Sequence, residues 1–143
     1  MRNILFLVFI TIFIVGCTNK HEYFNSKNDF TSKDVDNMII ADDMYNFIIP
    51  YFLPNKTTFY IQTSDIDKIF YNYLVEKFRG KGYAITNNSK IGNLTFLSYS
   101  IKEDNNIIFV TYSINETKIN RIYIIQDNKI IPAGKISGFN FEE

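Results

Sequence analysis

The side chains that most often carry chemistry are scarce in this chain of 143 residues. It has one cysteine, Cys17, one histidine, His21, and no tryptophan. A single cysteine excludes an intramolecular disulfide framework, and a lone histidine without further ligands at the usual spacing does not make a metal site. The sequence therefore predicts no metal and no cofactor, apart from whatever group is attached to Cys17.

Paired carboxylates are the remaining route to catalysis, and the sequence offers the adjacent pair Asp42-Asp43. Neighbouring residues on a helix point about 100° apart, so these two do not easily share one site, and we expect a solvated helix face. The motifs of serine hydrolases, zinc proteases and phosphate-binding loops are absent from the sequence. We therefore predict that the protein is not an enzyme, with a hydrolase built on a carboxylate pair as the open alternative.

The charges of the chain balance, with 15 Lys and Arg against 15 Asp and Glu. No excess of positive charge favours binding to nucleic acid, so we predict no direct contact with DNA or RNA. Length and composition fit a single small domain that folds around one hydrophobic core.

The N-terminal segment indicates a use for Cys17. A basic residue precedes an apolar run, 4–15, which is shorter than the roughly 20 residues that span a bilayer. The sequence Ile14-Val15-Gly16-Cys17 resembles the lipobox of bacterial lipoprotein signal peptides. This resemblance implies cleavage between Gly16 and Cys17, with a diacylglycerol and an N-acyl chain on Cys17. An ordinary cleaved signal that leaves a free thiol is the alternative.

Several acyl chains would hold the mature protein at a membrane permanently, because one chain alone binds only weakly. Residue Thr18 is not aspartate, and by resemblance to enterobacterial sorting rules this implies the periplasmic face of the outer membrane. The polar residues that follow predict a flexible linker. We thus expect a signal peptide at 1–16, a lipidated N-terminus and linker at 17–30, a globular domain at 31–138 and a loose tail at 139–143.

Two segments have the periodicity of amphipathic helices. The first begins near Thr31 and should end before Pro50, because proline disfavours helix in the residue before it. The second opens at residues 64–67, which resemble a capping box, and closes at Gly80, where we expect the left-handed residue that follows a helix.

The rest of the domain has the alternation of β-strands. The fold class predicted is α+β, with two helices packed on a mostly antiparallel sheet of about five to six strands. The strands on either side of the second helix are expected to pair in parallel. The predicted strands are Thr57–Gln62, Tyr83–Thr86, Leu94–Ile101, Ile107–Ile114, Ile119–Gln126 and a short one near Ile130.

Aromatic residues and the two arginines of the mature chain are the candidates for a partner interface. Tyr99, Tyr112 and Tyr123 fall on one face of the predicted sheet. They form either core under a helix or an exposed ridge for a protein partner. Arg79 and Arg121 are candidate anchors of such an interface.

Three short motifs carry a resemblance to a known family. They are Ala41-Asp42-Asp43-Met44, the segment from Leu74 through Arg79-Gly80-Lys81-Gly82-Tyr83-Ala84-Ile85, and Tyr123-x-x-Gln126-Asp127-Asn128 leading to Pro132-Ala133-Gly134. From Met38 to Gly138 the chain resembles TrbH, the small lipoprotein of conjugative transfer (Trb) systems, which are type IV secretion machines.

The resemblance implies an outer-membrane lipoprotein of the mating-pore assembly, which acts by contact with other envelope proteins. The alternative is a periplasmic lipoprotein carrier or envelope-maintenance factor that binds a lipid or peptide in a groove under the sheet.

Overall fold

The computed structural model describes residues 26–30, 34–62 and 68–139, which form an α+β fold. The helices are α1 (Asp34–Ile48) and α2 (Lys68–Gly80). Two short 3-10 turns, Ile49–Tyr51 and Pro54–Lys56, connect α1 to the sheet. The strands are β1 (Lys27–Asn28), β2 (Thr58–Ile61), β3 (Ala84–Thr86), β4 (Leu94–Asp104), β5 (Ile107–Ile114), β6 (Thr117–Gln126) and β7 (Lys129–Phe139).

One sheet contains these strands in the order β3-β2-β4-β5-β6-β7, and β1 also pairs with β4. Strand β2 lies parallel to both β3 and β4, whereas β4 to β7 form an antiparallel meander. The predicted class is confirmed, as is the parallel pairing of the strands that flank α2. The predicted strand count of five to six missed β1.

Both described helices pack on one face of the sheet, which we call the inner face. The core between them is rich in aromatic side chains, because Phe59, Phe78 and Tyr83 meet with ring centroids 4.9–5.5 Å apart. These rings bury large apolar areas and account for much of the stability of so small a domain. The helical core residues are Ile40, Ala41, Met44, Tyr45, Ile48, Phe70, Leu74, Val75 and Phe78.

Helix α2 ends in a Schellman motif, two residues later than the sequence predicted. The left-handed residue is Gly82, with φ of +95°, and not Gly80. The amide of Tyr83 donates to the carbonyl of Phe78 at 3.1 Å, and that of Gly82 to the carbonyl of Arg79 at 2.9 Å. The aromatic contact between Tyr83 and Phe78 completes the motif and favours Gly82 over Gly80 as its left-handed residue.

Asparagine and aspartate form the hairpin turns of the meander. Asn105 and Asn115 adopt positive φ at the β4–β5 and β5–β6 turns, and Asp127 and Asn128 both do so between β6 and β7. Positive φ at both central residues, as at Asp127 and Asn128, is the pattern of a type I′ turn, whose twist matches that of the strands. The gaps between the strands predicted from Leu94 onward are thus hairpin turns, and β4 extends three residues beyond its predicted end.

The linker prediction is wrong for its last five residues. Ser26 and Phe30 are buried, and Lys27–Asn28 pair with Ser100 and Ile101 of β4. The polar composition of β1 gave no sign of a strand. Its backbone pairs with the part of β4 beyond the end of β2, and this backbone pairing does not require apolar side chains.

Strand β7 is also longer than the short strand predicted near Ile130, and it runs one residue beyond the predicted end of the domain. It continues through Pro132 and Gly134, beyond the short strand that the sequence predicted. An edge strand tolerates a proline, and Gly134, with φ of +76°, lies next to the register shift opposite Asn120 and Ile122.

Several predictions fall outside the residues that the structure describes. They are the signal peptide, the lipobox with Gly16 and Cys17, the helix start at Thr31, the capping box at 64–67 and most of the tail. Within the described part of the chain, no helix has both the length and the apolar character needed to cross a membrane.

Candidate functional site

Helix α1 presents its two adjacent aspartates to different neighbours. Asp42 faces α2 and Asp43 faces the inner surface of the sheet, as expected for consecutive helical residues that point about 100° apart. Their side chains are 40% and 30% exposed, and both are ion-paired. The predicted solvated helix face is therefore wrong, because tertiary partners from α2 and β6 reach these carboxylates.

Asp43 is the centre of a polar group that we call the Asp43 cluster, namely Asp43, Tyr112, Arg121 and Tyr123. The hydroxyl of Tyr123 and Nε of Arg121 both donate to Oδ2 of Asp43, at 2.5 and 3.0 Å. The Tyr112 and Tyr123 hydroxyls lie 3.3 Å apart, which extends the chain of hydrogen bonds into the core. Nη1 of Arg121 donates to the carbonyl of Gly134 at 3.1 Å, so the cluster joins α1, β5, β6 and β7.

Burial governs the electrostatics of this cluster. Tyr112 and Tyr123 are completely buried, and loss of hydration is the main cause that raises the pKa of each phenol above its usual value. For Tyr123 the neighbouring Tyr112 and the hydrogen bond to Asp43 raise the pKa further. Both phenols thus stay protonated at neutral pH and act as hydrogen-bond donors. They are not poised as nucleophiles or general bases.

Asp42 forms the second polar contact of α1. Its Oδ1 accepts a hydrogen bond from the Tyr73 hydroxyl at 2.9 Å and lies 2.8 Å from Nζ of Lys77. The hydrogen bond to Asp42 is the main cause that raises the pKa of Lys77. The ammonium group also lies 5.2 Å from the ring centre of Tyr45, within range of a cation–π interaction. This contact holds α1 against α2 at the protein surface.

The arrangement of both aspartates is that of a structural clamp. Each carboxylate is neutralised by a cation and accepts a hydrogen bond from a tyrosine. Their partners fix α1 to two different elements, α2 through Asp42 and the sheet through Asp43. Among the described residues, no group of three or more His, Cys, Asp or Glu is close enough to hold a metal ion.

The candidate interface residues lie mostly inside the domain. Tyr99, Tyr112 and Tyr123 are on the inner face and at most 2% exposed, so they are core, the first of the two alternatives that the sequence left open. Arg121 is directed to Asp43, with 14% of its side chain exposed. Arg79 alone of these five is exposed, in the last turn of α2.

The outer face of the sheet carries an apolar area that the sequence reasoning missed. In the strand register Ile107 pairs with Ile124, Ile124 with Ile131, and Phe109 with Ile122. We call these five residues the outer patch. All but the half-buried Ile124 are 40–44% exposed. The signal was available, since β5 and β6 carry branched or aromatic residues at consecutive positions, as strands that are covered on both faces do.

On β5 and β6 the rest of the outer face is polar, whereas Tyr60 of β2 and Phe96 of β4 also lie on this face, with ring centroids 5.2 Å apart. Two further rows of cross-strand neighbours, beginning at Ser100 and Ser98 of β4, continue through Thr111 and Ser113 of β5. Thr111 donates a hydrogen bond to Asn120 at 2.8 Å. Ser98 and Ser113 are nevertheless buried, as is Tyr60, so this half of the face is largely shielded from solvent. The outer patch, at the end of the sheet formed by the β4–β5 and β6–β7 turns, is the exposed apolar part of the face.

Comparison with known proteins yields a family match. The family model described as "Conjugal transfer protein TrbH" matches residues 18–142, which cover most of the chain. No curated protein and no solved structure matches. The match confirms the family resemblance drawn from the three short motifs, each of which contains residues of the aspartate contacts.

Proposed function

The chain belongs to the TrbH family of conjugal transfer proteins, and we propose that it is a lipid-anchored structural component of the transfer apparatus. It is attached through Cys17 to the periplasmic face of the outer membrane and acts by protein contact without catalysis. The family match supports the role in conjugal transfer, and the lipobox Ile14-Val15-Gly16-Cys17 supports the anchor.

The start of the folded domain limits how far the anchor lets it move. Ser26 is already tied to the sheet, where its amide donates to the carbonyl of Gln62 at 3.2 Å. Nine Cα steps separate Cys17 from Ser26, and at about 3.4 Å per residue they span at most roughly 30 Å. A lipid on Cys17 would therefore keep the domain within about its own diameter of the membrane.

Contact is favoured over catalysis by the way the polar groups are used. The titratable groups of the Asp43 cluster are bonded to one another, and its phenols hold their protons because burial raises their pKa. By contrast, the outer patch is accessible and apolar, which is the character of protein contact surfaces. A hydrolase built on Asp42 and Asp43 finds no support, since the two carboxylates face different elements.

A carrier that binds a lipid or peptide under the sheet is the weaker proposal. The space between the helices and the inner face is filled by side chains that are fully buried, among them Phe59, Phe78, Tyr112 and Tyr123. A ligand could enter there only by displacing these core side chains.

The anchor is tested by replacing Cys17 in a mating-competent strain. For Cys17→Ala we expect loss of the protein from the membrane fraction and a fall in DNA transfer of at least tenfold, since a chain without acyl groups has no hold on the bilayer. Thr18→Asp is the matched control, because it leaves Cys17 available for lipidation and, by the sorting rule, changes only the membrane.

Membrane fractionation, mass spectrometry of the mature N-terminus and mating frequency are the measurements. Normal mating in a clean deletion strain would overturn the role in transfer. An unmodified Cys17 in the membrane fraction would overturn the anchor.

A further inference from the structure

We propose that the outer patch is the contact between two copies of this chain, packed sheet face against sheet face about a two-fold axis. The patch is isologous, so that the same five residues meet themselves, and its core holds no charge. The proposal rests on the membrane anchor of the proposed function, because the contact is too small to form efficiently between free molecules.

Charge complementarity selects a second copy as the occupant. Two charged residues of β4 border the patch, where Lys102 pairs with Phe109 and Asp104 with Ile107 in the register. Lys129 borders it on β7, one row beyond Ile131. The exposed border of the patch thus carries both signs, and a two-fold axis brings opposite signs together.

Two orientations of the axis are available, and each forms two ion pairs. An axis across the strands places the row of Ile107, Ile124 and Ile131 over the row of Phe109 and Ile122 in the second copy. It also places Lys102 over Asp104 of the second copy. An axis along the strands exchanges the β4 and β7 sides and brings Asp104 beside Lys129 of the second copy. Self-complementarity of this kind is what an isologous contact needs, whereas a partner with charges of one sign would match only part of this border.

Area explains why the contact needs the membrane. Four strands about 4.8 Å apart and the two rows of the outer patch, about 6.8 Å apart, cover roughly 260 Å². A stable complex buries about 800 Å² per partner, so the outer patch supports only a weak association in solution. Anchors on one membrane raise the effective concentration of the two copies and restrict their rotation, which favours the dimer without any further contact.

The edge of the sheet is a poorer site for a second copy. Pro132 lacks an amide donor, the carbonyl of Gly134 is already bonded to Arg121, and the register of β7 shifts near this point. Lysine, proline and a bulge are the features by which natural sheets avoid edge-to-edge pairing. The outer face is therefore a better surface for self-association than the β7 edge.

Cysteine crosslinking in cells tests the proposal on the full chain. Facing sheets lie about 10 Å apart, too far for a disulfide, so a short bismaleimide is the reagent. We expect Ile122→Cys and Phe109→Cys to give a dimer at least tenfold above the wild-type chain, whose Cys17 is blocked by lipid. Glu76→Cys is the matched control, since it is exposed on α2, away from the outer face.

Charge-reversal variants distinguish the two orientations of the two-fold axis. Asp104→Lys should reduce the crosslinked fraction of Ile122→Cys about threefold, because both ion pairs become repulsive. Lys102→Asp should restore it if the axis runs across the strands, and Lys129→Asp if it runs along them.

Three results would overturn the proposal. They are crosslinking of Ile122→Cys to a different protein, a thiol that reacts freely with maleimide without any dimer, and a thiol that reacts with nothing because the membrane covers it. A dimer in the wild-type lane would instead mean that Cys17 is free. That result would count against lipidation, and the comparison of Ile122→Cys with Glu76→Cys would still test the patch.

Discussion

The inner and outer faces of the sheet come from the same long strands but differ in what covers them. On the inner face two helices bury Tyr99, Tyr112 and Tyr123, and polar contacts through Asp42 and Asp43 hold α1 in place. On the outer face, the outer patch stays accessible at one end, whereas Tyr60, Ser98 and Ser113 are buried at the other. Strands covered on both faces carry apolar residues at consecutive positions, so β5 and β6 have the pattern of strands with a second covering surface, which the described helices do not provide.

The largest difference between the two faces is expected when one phenylalanine on each face of the sheet is replaced by alanine. Phe78→Ala should lower the free energy of unfolding by about 4 kcal/mol, because Phe78 is fully buried against Tyr45, Phe59 and Tyr83. Phe109→Ala, in the exposed outer patch, should cost less than about 1 kcal/mol. Urea denaturation of the two variants measures the difference, and equal losses would show that something buries the outer patch as deeply as the core.

The next largest effect expected is a loss of folding stability at alkaline pH, through the buried tyrosines of the inner face. The unfolded chain releases phenolic protons near pH 10, whereas burial raises the pKa of Tyr112 and Tyr123 and keeps them protonated in the folded state. Stability is therefore fully present below pH 10 and is lost as the pH rises above it, by about 1.4 kcal/mol per unit for each tyrosine. At pH 11 the expected loss from this pair is about 3 kcal/mol.

Unfolding measured between pH 8 and 11.5 tests this dependence. The double variant Tyr112→Phe, Tyr123→Phe should have a shallower decline, even if its stability at pH 8 is lower. Ile108→Val is the control, because it loosens the same core without removing a phenol. An unchanged slope in the double variant would assign the alkaline loss to other groups.

The smallest difference in stability is expected between variants of the two aspartates. Asp43→Asn should cost about 2 kcal/mol, since it leaves the largely buried guanidinium of Arg121 without its counter-charge. Asp42→Asn should cost less than about 1 kcal/mol, because Asp42 and Lys77 form a pair near the surface. Thermal unfolding of the two neighbours gives a matched comparison, and a larger loss for Asp42→Asn would contradict the assignment of the main clamp to Asp43.

Much of the inner face could be predicted from local patterns. The stripe of α2 and the alternation of β4 to β6 indicated which side chains face the core, and the tyrosines at 99, 112 and 123 were placed correctly on one face. The partners of Asp42 and Asp43 could not be predicted, because Tyr73 and Tyr123 lie 31 and 80 residues away in the chain. Local periodicity describes which way a residue points and cannot say which distant element it meets.

Residue types at fixed spacing were enough to indicate the family and to make Cys17 a candidate for lipidation. The α+β class also followed from the sequence, because helices and strands have different periods. Three features became apparent only in the fold: residues 26–30 lie in or beside the sheet, Asp43 holds α1 to β6, and five apolar residues form the outer patch. Those three features depend on the strand register and on the face that the helices cover, which are properties of contacts between distant parts of the chain.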